Sequence, residues 1–272
     1  MAPSFDTSAV EASAADAPDA GAGAPAEALA PTIILWAVPR SVSTAFERTF
    51  AARGDCRVVH EPFTRSYYFS RRRRSARYGD QPHLAAHDGH EEIGDAARQG
   101  GGSAVFVKEL AFQAAPYASD ALLRRARHSF IIRHPFNVLA SLLPLKPDAS
   151  EDEFGFGPLM EIWERVAALS PGQAPPVVDG DRFRRDPAGT LERYCERLGL
   201  SFEQGCLSWR TGRLRTWNAD EAESQAKWHA TLEGSTGILP PGETPRAEIP
   251  EAWRPAYDRA LAVYEKLAAH AI

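Results

Sequence analysis

Only three cysteines occur in 272 residues, Cys56, Cys195 and Cys206, and none falls in a CxxC spacing. An odd, unpatterned set argues against a disulfide framework or a zinc site and suits free thiols in a reducing compartment. Long apolar runs are missing too. The longest candidate, Ile33 to Val38, has the length of a strand and not the ~20 residues of a membrane span. Near the N-terminus there is neither a basic start nor an apolar core of ~7 residues or more, so no secretory signal is expected. These absences place the protein in the cytoplasm, with no membrane partner. A surplus of positive charge is likewise lacking. The first thirty residues carry five acids and no Lys, Arg or His, and beyond them acids and bases balance at 31 each. General nucleic-acid binding is therefore disfavoured. The triphosphate-binding pattern GxxxxGK[ST] is absent as well, which leaves magnesium-dependent phosphoryl transfer poorly supported.

What is present divides in two. Residues 1–30, with twelve alanines and several Pro and Gly, read as a flexible acidic tail. Residues 31–272 are long enough to bury the core of one globular domain. The unbroken run Ile33-Ile34-Leu35-Trp36-Ala37-Val38 is expected to be a central strand, buried on both faces of a parallel sheet. Arg57 to Val59, Gly102 to Val107 and Ser129 to Ile132 follow as shorter strands. Helical patterns cover 43–53, ending at Gly54, and roughly 118–127, 135–143, 158–169, 187–198 and 251–270. Strands alternating with helices predict a three-layer, doubly wound α/β fold with a mainly parallel sheet, which binds ligands at the carboxyl ends of its strands. Residues 71–101, with four consecutive arginines and many Gly and His, show no period and are expected to form a mobile loop or lid.

Two turns carry anion chemistry. After the first strand, Pro39-Arg40-Ser41-Val42-Ser43-Thr44 leads into a helix, an arrangement that aims backbone N–H groups and a positive dipole end at an anion. Arg40 adds charge, and Ser41, Ser43 and Thr44 add hydroxyls; the alternative is that Ser41 or Ser43 merely caps the helix. The fourth strand ends in Arg133, then His134 and Pro135 open a helix that bears Ser141. Arg133 and Ser141 can reach one phosphate together, or be a surface arginine and a solvated serine.

These two segments, Pro39 to Thr44 and Arg133-His134-Pro135-Phe136-Asn137-Val138-Leu139-Ala140-Ser141, resemble the two motifs with which sulfotransferases bind 3′-phosphoadenosine-5′-phosphosulfate (PAPS). The segment Val177 to Phe183, with Asp186-Pro187 and Arg197-Leu198-Gly199-Leu200 after it, is similar to that family's strand and leucine-glycine helix. The resemblance covers about residues 31–210 and implies a phosphate-binding-loop fold. It implies that Arg40, Ser41, Val42, Ser43, Thr44 and Ala45 cradle the 5′-phosphosulfate, and that Arg133 and Ser141, eight residues apart, hold the 3′-phosphate. PAPS would be the donor, its bisphosphate PAP the product, a small-molecule hydroxyl or amine the acceptor, and no metal would be needed.

The sequence also departs from the family pattern. Val42 stands where the motif usually has Gly, and a β-branched residue resists positive φ, so an ordinary backbone region is expected there. Asp179 replaces a tyrosine that often lies near the adenine. The C-terminal Arg-Lys-Gly motif is not recognisable; Trp228-His229 and Ser235-Thr236-Gly237 fall in that region without assigned contacts. Leu110 sits where cytosolic relatives have a catalytic histidine, two residues after Lys108.

The base for the acceptor proton must then come from elsewhere. His60-Glu61-Pro62-Phe63 resembles the Glu-Pro segment of relatives that use glutamate, which makes Glu61 the first choice and His60 its rival. Lys108 is expected to stabilise charge on the leaving oxygen. The bland alternatives are an ion pair of Glu61 with Arg40 or Arg65, a packed His60 and a solvated Lys108. The run Arg71 to Arg74 reads as solvated surface. Tyr67, Tyr68, Phe69 and Trp163 are candidates for an acceptor pocket or for core. Two rival functions remain in view: a nucleotide-dependent small-molecule kinase, and a non-catalytic protein that binds PAP or PAPS.

Overall fold

In a computed structural model the described residues are 31–78, 84–99, 102–213, 215, 222–242 and 248–272, with the side chains of 222–227 excepted. The expected tail at 1–30 lies outside them. Five strands, β1 (Thr32–Ala37), β2 (Cys56–His60), β3 (Ala104–Leu110), β4 (Ala126–Ile132) and β5 (Val177–Asp179), form one sheet in the order β2-β3-β1-β4-β5. Every pairing is parallel. All five carboxyl ends therefore open on one edge, and β1 lies at the centre, where the order reverses.

The apolar run of β1 is buried from both sides because its side chains alternate. Ile33, Leu35 and Ala37 pack with Phe46, Phe50, Phe106, Phe183 and Tyr194 on one face. Ile34, Trp36 and Val38 pack with Phe130, Phe156, Ile162 and Trp163 on the other. Helix α1 (Ser43–Arg53) and helix Pro187–Leu198 cover the first face; helices Phe156–Leu169 and Arg254–Ala268 cover the second. This is the expected three-layer, doubly wound α/β architecture. Among the described residues no helix is long and apolar enough to cross a membrane.

Tertiary packing overrode the sequence pattern in three places. Within 71–101, expected as a mobile loop, residues Gly89–Gln99 form a helix. Ile93, Ala96 and Ala97 bury one face of it against the core, and two alanines and one isoleucine make too faint an apolar stripe to register against Gly89 and Gly94. The helical pattern at 118–127 stops at Arg125, because Ala126 already pairs with Thr32 of β1. In the segment Val177 to Phe183 the strand lasts three residues before helix Gly180–Arg185, whose start is capped by the Asp179 carboxylate accepting from the Asp181 and Arg182 amides, both at 2.9 Å.

Candidate active site

The turn between β1 and α1 is wound tightly. Arg40 has φ 60° and Val42, the N-cap of α1, has φ 72° and ψ 9°. The expectation of an ordinary backbone region at Val42 is thus overturned. A left-handed β-branched residue costs about 1–2 kcal/mol, and the half-buried Val42 side chain, packed against the aromatic face of the core, holds it there. The first helical bond of α1 runs from the Phe46 amide to the Val42 carbonyl at 3.1 Å. The amides of Ser43, Thr44 and Ala45 therefore have no partner within the helix and form its positive end. Arg40, Val42, Ser43, Thr44 and Ala45 line a cavity of about 390 Å³. Ser41 is different. Fully buried, it donates its hydroxyl to the Val38 carbonyl at 2.7 Å, so that hydroxyl braces the loop and is not presented to the cavity. Neither Ser41 nor Ser43 caps the helix by its side chain.

On the β4 side, Arg133 and Ser141 line the same cavity as Arg40. Arg40 donates from Nε to Ser141 Oγ at 2.8 Å and from Nη1 to the Trp228 carbonyl at 3.2 Å, with its guanidinium over the Trp228 ring. Arg133 pairs with Asp181 at 2.9 Å and donates to the Arg40 carbonyl at 3.3 Å. Asn137 anchors the other Asp181 oxygen at 2.8 Å. Arg184, from helix Gly180–Arg185, lines the cavity too and donates to the carbonyls of Leu239 and Pro240. Burial first, and then the Arg133 charge, lowers the proton affinity of both Arg40 and Arg184. Three guanidiniums in one crevice at the open end of a helix make a strong demand for a multiply charged anion.

On the β3 and β2 side, Lys108 and Glu61 line the cavity from adjacent strand ends. Both are buried, and Lys108 Nζ is ion-paired with Glu61 Oε1. The partner of Glu61 is thus Lys108, not Arg40 or Arg65. Glu61 has φ 44°, its amide bonded to the Lys108 carbonyl at 2.7 Å; this turn swings the carboxylate into the cavity. His60 points behind it, with Nδ1 2.6 Å from Glu47 and Nε2 3.4 Å from Glu61 Oε1. Burial, ahead of all charges, pulls His229, another cavity residue, down to about 4.

The aromatic candidates separate. Tyr68 lines the cavity beside Tyr78 and Phe112, with Arg77 stacked over Tyr68, Tyr78 and Trp228. Tyr67 and Phe69 pack around that aromatic cluster, whereas Trp163 lies in the hydrophobic core and does not line the cavity. Of the arginine run, Arg71, Arg72 and Arg74 are exposed, and Arg72 lies over the Tyr117 ring. Arg77 and Arg184 were not singled out by the sequence motifs, and His229 was named only as lying in the region of the missing C-terminal motif. Each comes from a stretch without a spacing of its own, and only the fold brings it to the cavity.

A parallel α/β sheet whose central strand feeds a turn into a helix start, with a buried Lys–Glu pair at the two strand ends on one side of it, frames a single cavity. The Sulfotransferase domain family matches residues 31–271, and the chain belongs to that family. It is 29% identical to Branched-chain-amino-acid aminotransferase-like protein 1 of Arabidopsis thaliana over 241 residues, covering 86% of this chain and 41% of that protein. For protein 2 of the same name and organism the identity is 27%, with 88% and 41% covered. The chain thus spans about two fifths of the length of these curated relatives. Among solved structures, the sulfotransferase domain from the curacin biosynthetic pathway superposes with a TM-score of 0.48 at 14% identity, covering 88% of this chain and 98% of that one. A sulfotransferase from Alicyclobacillus acidocaldarius gives 0.47 at 15%, covering 75% and 96%.

Proposed function

We propose that the protein transfers the sulfuryl group of PAPS to a hydroxyl or amine of a small-molecule acceptor, with Glu61 as the base. The observation that carries this is the convergence of Arg40, Arg133 and Arg184 on one cavity at the start of α1. Arg40 and Arg184 donate to neutral oxygens, and Asp181 is the carboxylate in contact with Arg133. The cluster keeps an excess of positive charge, and a donor with phosphates at both ends of an adenosine fits it. The amides of Ser43 to Ala45 would take the 5′-phosphosulfate, and Arg133 with Ser141 the 3′-phosphate.

Sulfuryl transfer is an in-line displacement that needs the acceptor deprotonated and the leaving oxygen stabilised. Glu61 faces the cavity with a carboxylate that can take the proton. Lys108, held at the same point, supplies positive charge for the leaving oxygen. His229 is a weaker candidate base, since burial depresses its proton affinity. Tyr68, Tyr78, Phe112 and Leu142 make the wall near Arg77 apolar and aromatic, as suits a small organic acceptor. The aminotransferase-like name belongs to longer proteins and adds nothing to this cavity's chemistry.

Thermal unfolding with PAP, ADP, and ATP plus magnesium tests the donor, because a ligand that binds the native state raises its apparent stability. PAP is expected to stabilise most, and Arg133→Ala to remove most of that shift. Equal stabilisation by ADP would count against PAPS and favour the kinase reading.

A further inference from the structure

Behind the cavity wall lies a row of buried groups that the transfer step itself does not touch. Glu47 on α1 is fully buried. Its Oε2 lies 2.6 Å from His60 Nδ1 and its Oε1 accepts from Arg215 at 2.8 Å. On the opposite edge of the imidazole, Nε2 stands 3.4 Å from Glu61 Oε1, the oxygen that also meets Lys108. The His60 side chain is 4% exposed and that of Glu61 8%, and of the two only Glu61 lines the cavity. The line Arg215, Glu47, His60, Glu61 thus runs from a partly exposed arginine through the buried Glu47 and His60 to the place where an acceptor would sit.

We propose that Glu47 and His60 form a proton relay behind Glu61, in which His60 takes over the acceptor's proton and Glu47 fixes the tautomer that lets it do so. The proposal rests on the reading of Glu61 as base. A carboxylate as short and buried a contact as Glu47 Oε2 keeps a proton on the Nδ1 side of the ring, leaving a lone pair on Nε2. Burial pushes the Glu47 carboxyl above its ordinary range, with the Arg215 and Lys108 charges pulling the other way. During transfer the acceptor's oxygen or nitrogen forms its bond to sulfur, and the bond from sulfur to the bridging oxygen breaks, its electron pair leaving with PAP. The acceptor's proton passes to Glu61, and Glu61 hands a proton to His60 Nε2. The imidazolium that results lies between two carboxylates, and Glu61 returns to its pair with Lys108. Glu61 faces this ring from the cavity side and Glu47 from behind, and His229 lies edge-on to it, 6.0 Å away centroid to centroid. Burial keeps His229 neutral at ordinary pH, so it does not compete for the charge. His60 and Glu47 are positioning residues in this scheme, acting through Glu61.

Ring-nitrogen NMR of the chain labelled at histidine tests the relay without any acceptor. The His60 signals, identified by their loss in His60→Gln or His60→Asn, are expected to show a proton on Nδ1 and a bare Nε2. Glu47→Gln is expected to populate the opposite tautomer, and Glu61→Gln to leave the Nδ1 form in place. A wild-type ring protonated on Nε2, or a tautomer that ignores Glu47→Gln, overturns the proposal. In turnover with PAPS, His60→Gln is expected to slow transfer to phenol on the order of 10²-fold and to slow transfer to 4-nitrophenol, ionised at alkaline pH, only a few-fold; equal losses would mean that His60 has no part in moving the proton. PAP-induced thermal stabilisation is scored separately. Its absence would overturn the donor assignment, while the tautomer still decides the fate of the relay.

Discussion

Gly180 opens the helix that follows β5, and a Cβ built on it would stand 2.3 Å from the Ser41 carbonyl oxygen, with the Ser41 carbonyl carbon at 3.2 Å and the Ile132 oxygen at 3.4 Å. Real Cβ contacts stay beyond 3.0 Å, so Gly180→Ala falls 0.7 Å short of fitting. The obstacle is backbone on both sides, and no side chain can swing away. Gly180 has no positive φ; in open space the change would stabilise its helix by up to about 1 kcal/mol. The clash reverses that sign. Forcing the extra carbon in costs about 1–3 kcal/mol, or a fall in Tm of roughly 2–12 °C for a domain of this size. It also moves the turn that carries Arg40, whose carbonyl accepts from Arg133 at 3.3 Å. Displacements approaching 1 Å in such a site cost on the order of 10²-fold in turnover. Calorimetry with and without PAP reads both effects: Gly180→Ala should melt earlier and lose much of the PAP-induced shift. A variant that melts at or above the wild-type temperature, with the full PAP shift, would refute the close approach of this helix to the anion turn.

Glu61→Gln should keep PAP stabilisation and lower sulfuryl transfer by about 10²–10⁴-fold, measured as PAP release; transfer at the wild-type rate would remove Glu61 as the base. His229 sets an acid limit on stability. Its folded proton affinity lies below the unfolded one, at about 4 against 6.5, so between those pH values the unfolded chain binds more protons and stability falls as pH falls. The loss amounts to about 3 kcal/mol. In His229→Asn, urea denaturation across that window should show a correspondingly flatter acid limb, and an unchanged limb would place the sensitivity elsewhere.

The sequence alone determined the layers and the central strand, because an unbroken six-residue apolar run has to be covered on both sides, and the alternation of Ile33, Leu35 and Ala37 with Ile34, Trp36 and Val38 does just that. It also pointed to Arg40, Arg133 and Ser141, since strand-end arginines followed by helix starts are local signals that survive in one dimension. What it could not supply were decisions made by packing. Val42 takes a left-handed conformation that its own side chain disfavours, because the turn must close between β1 and α1 and the core holds the residue there. Ser41 turns its hydroxyl inward for the same reason. The partner of Glu61 turned out to be Lys108, a neighbour only through the pairing of β2 with β3. Arg77 and Arg184 carry no motif, and His229 came with no assigned contact. Their place around the cavity depends on contacts between segments far apart in the chain, and only the folded sheet, with all its strand ends on one edge, brings those segments together.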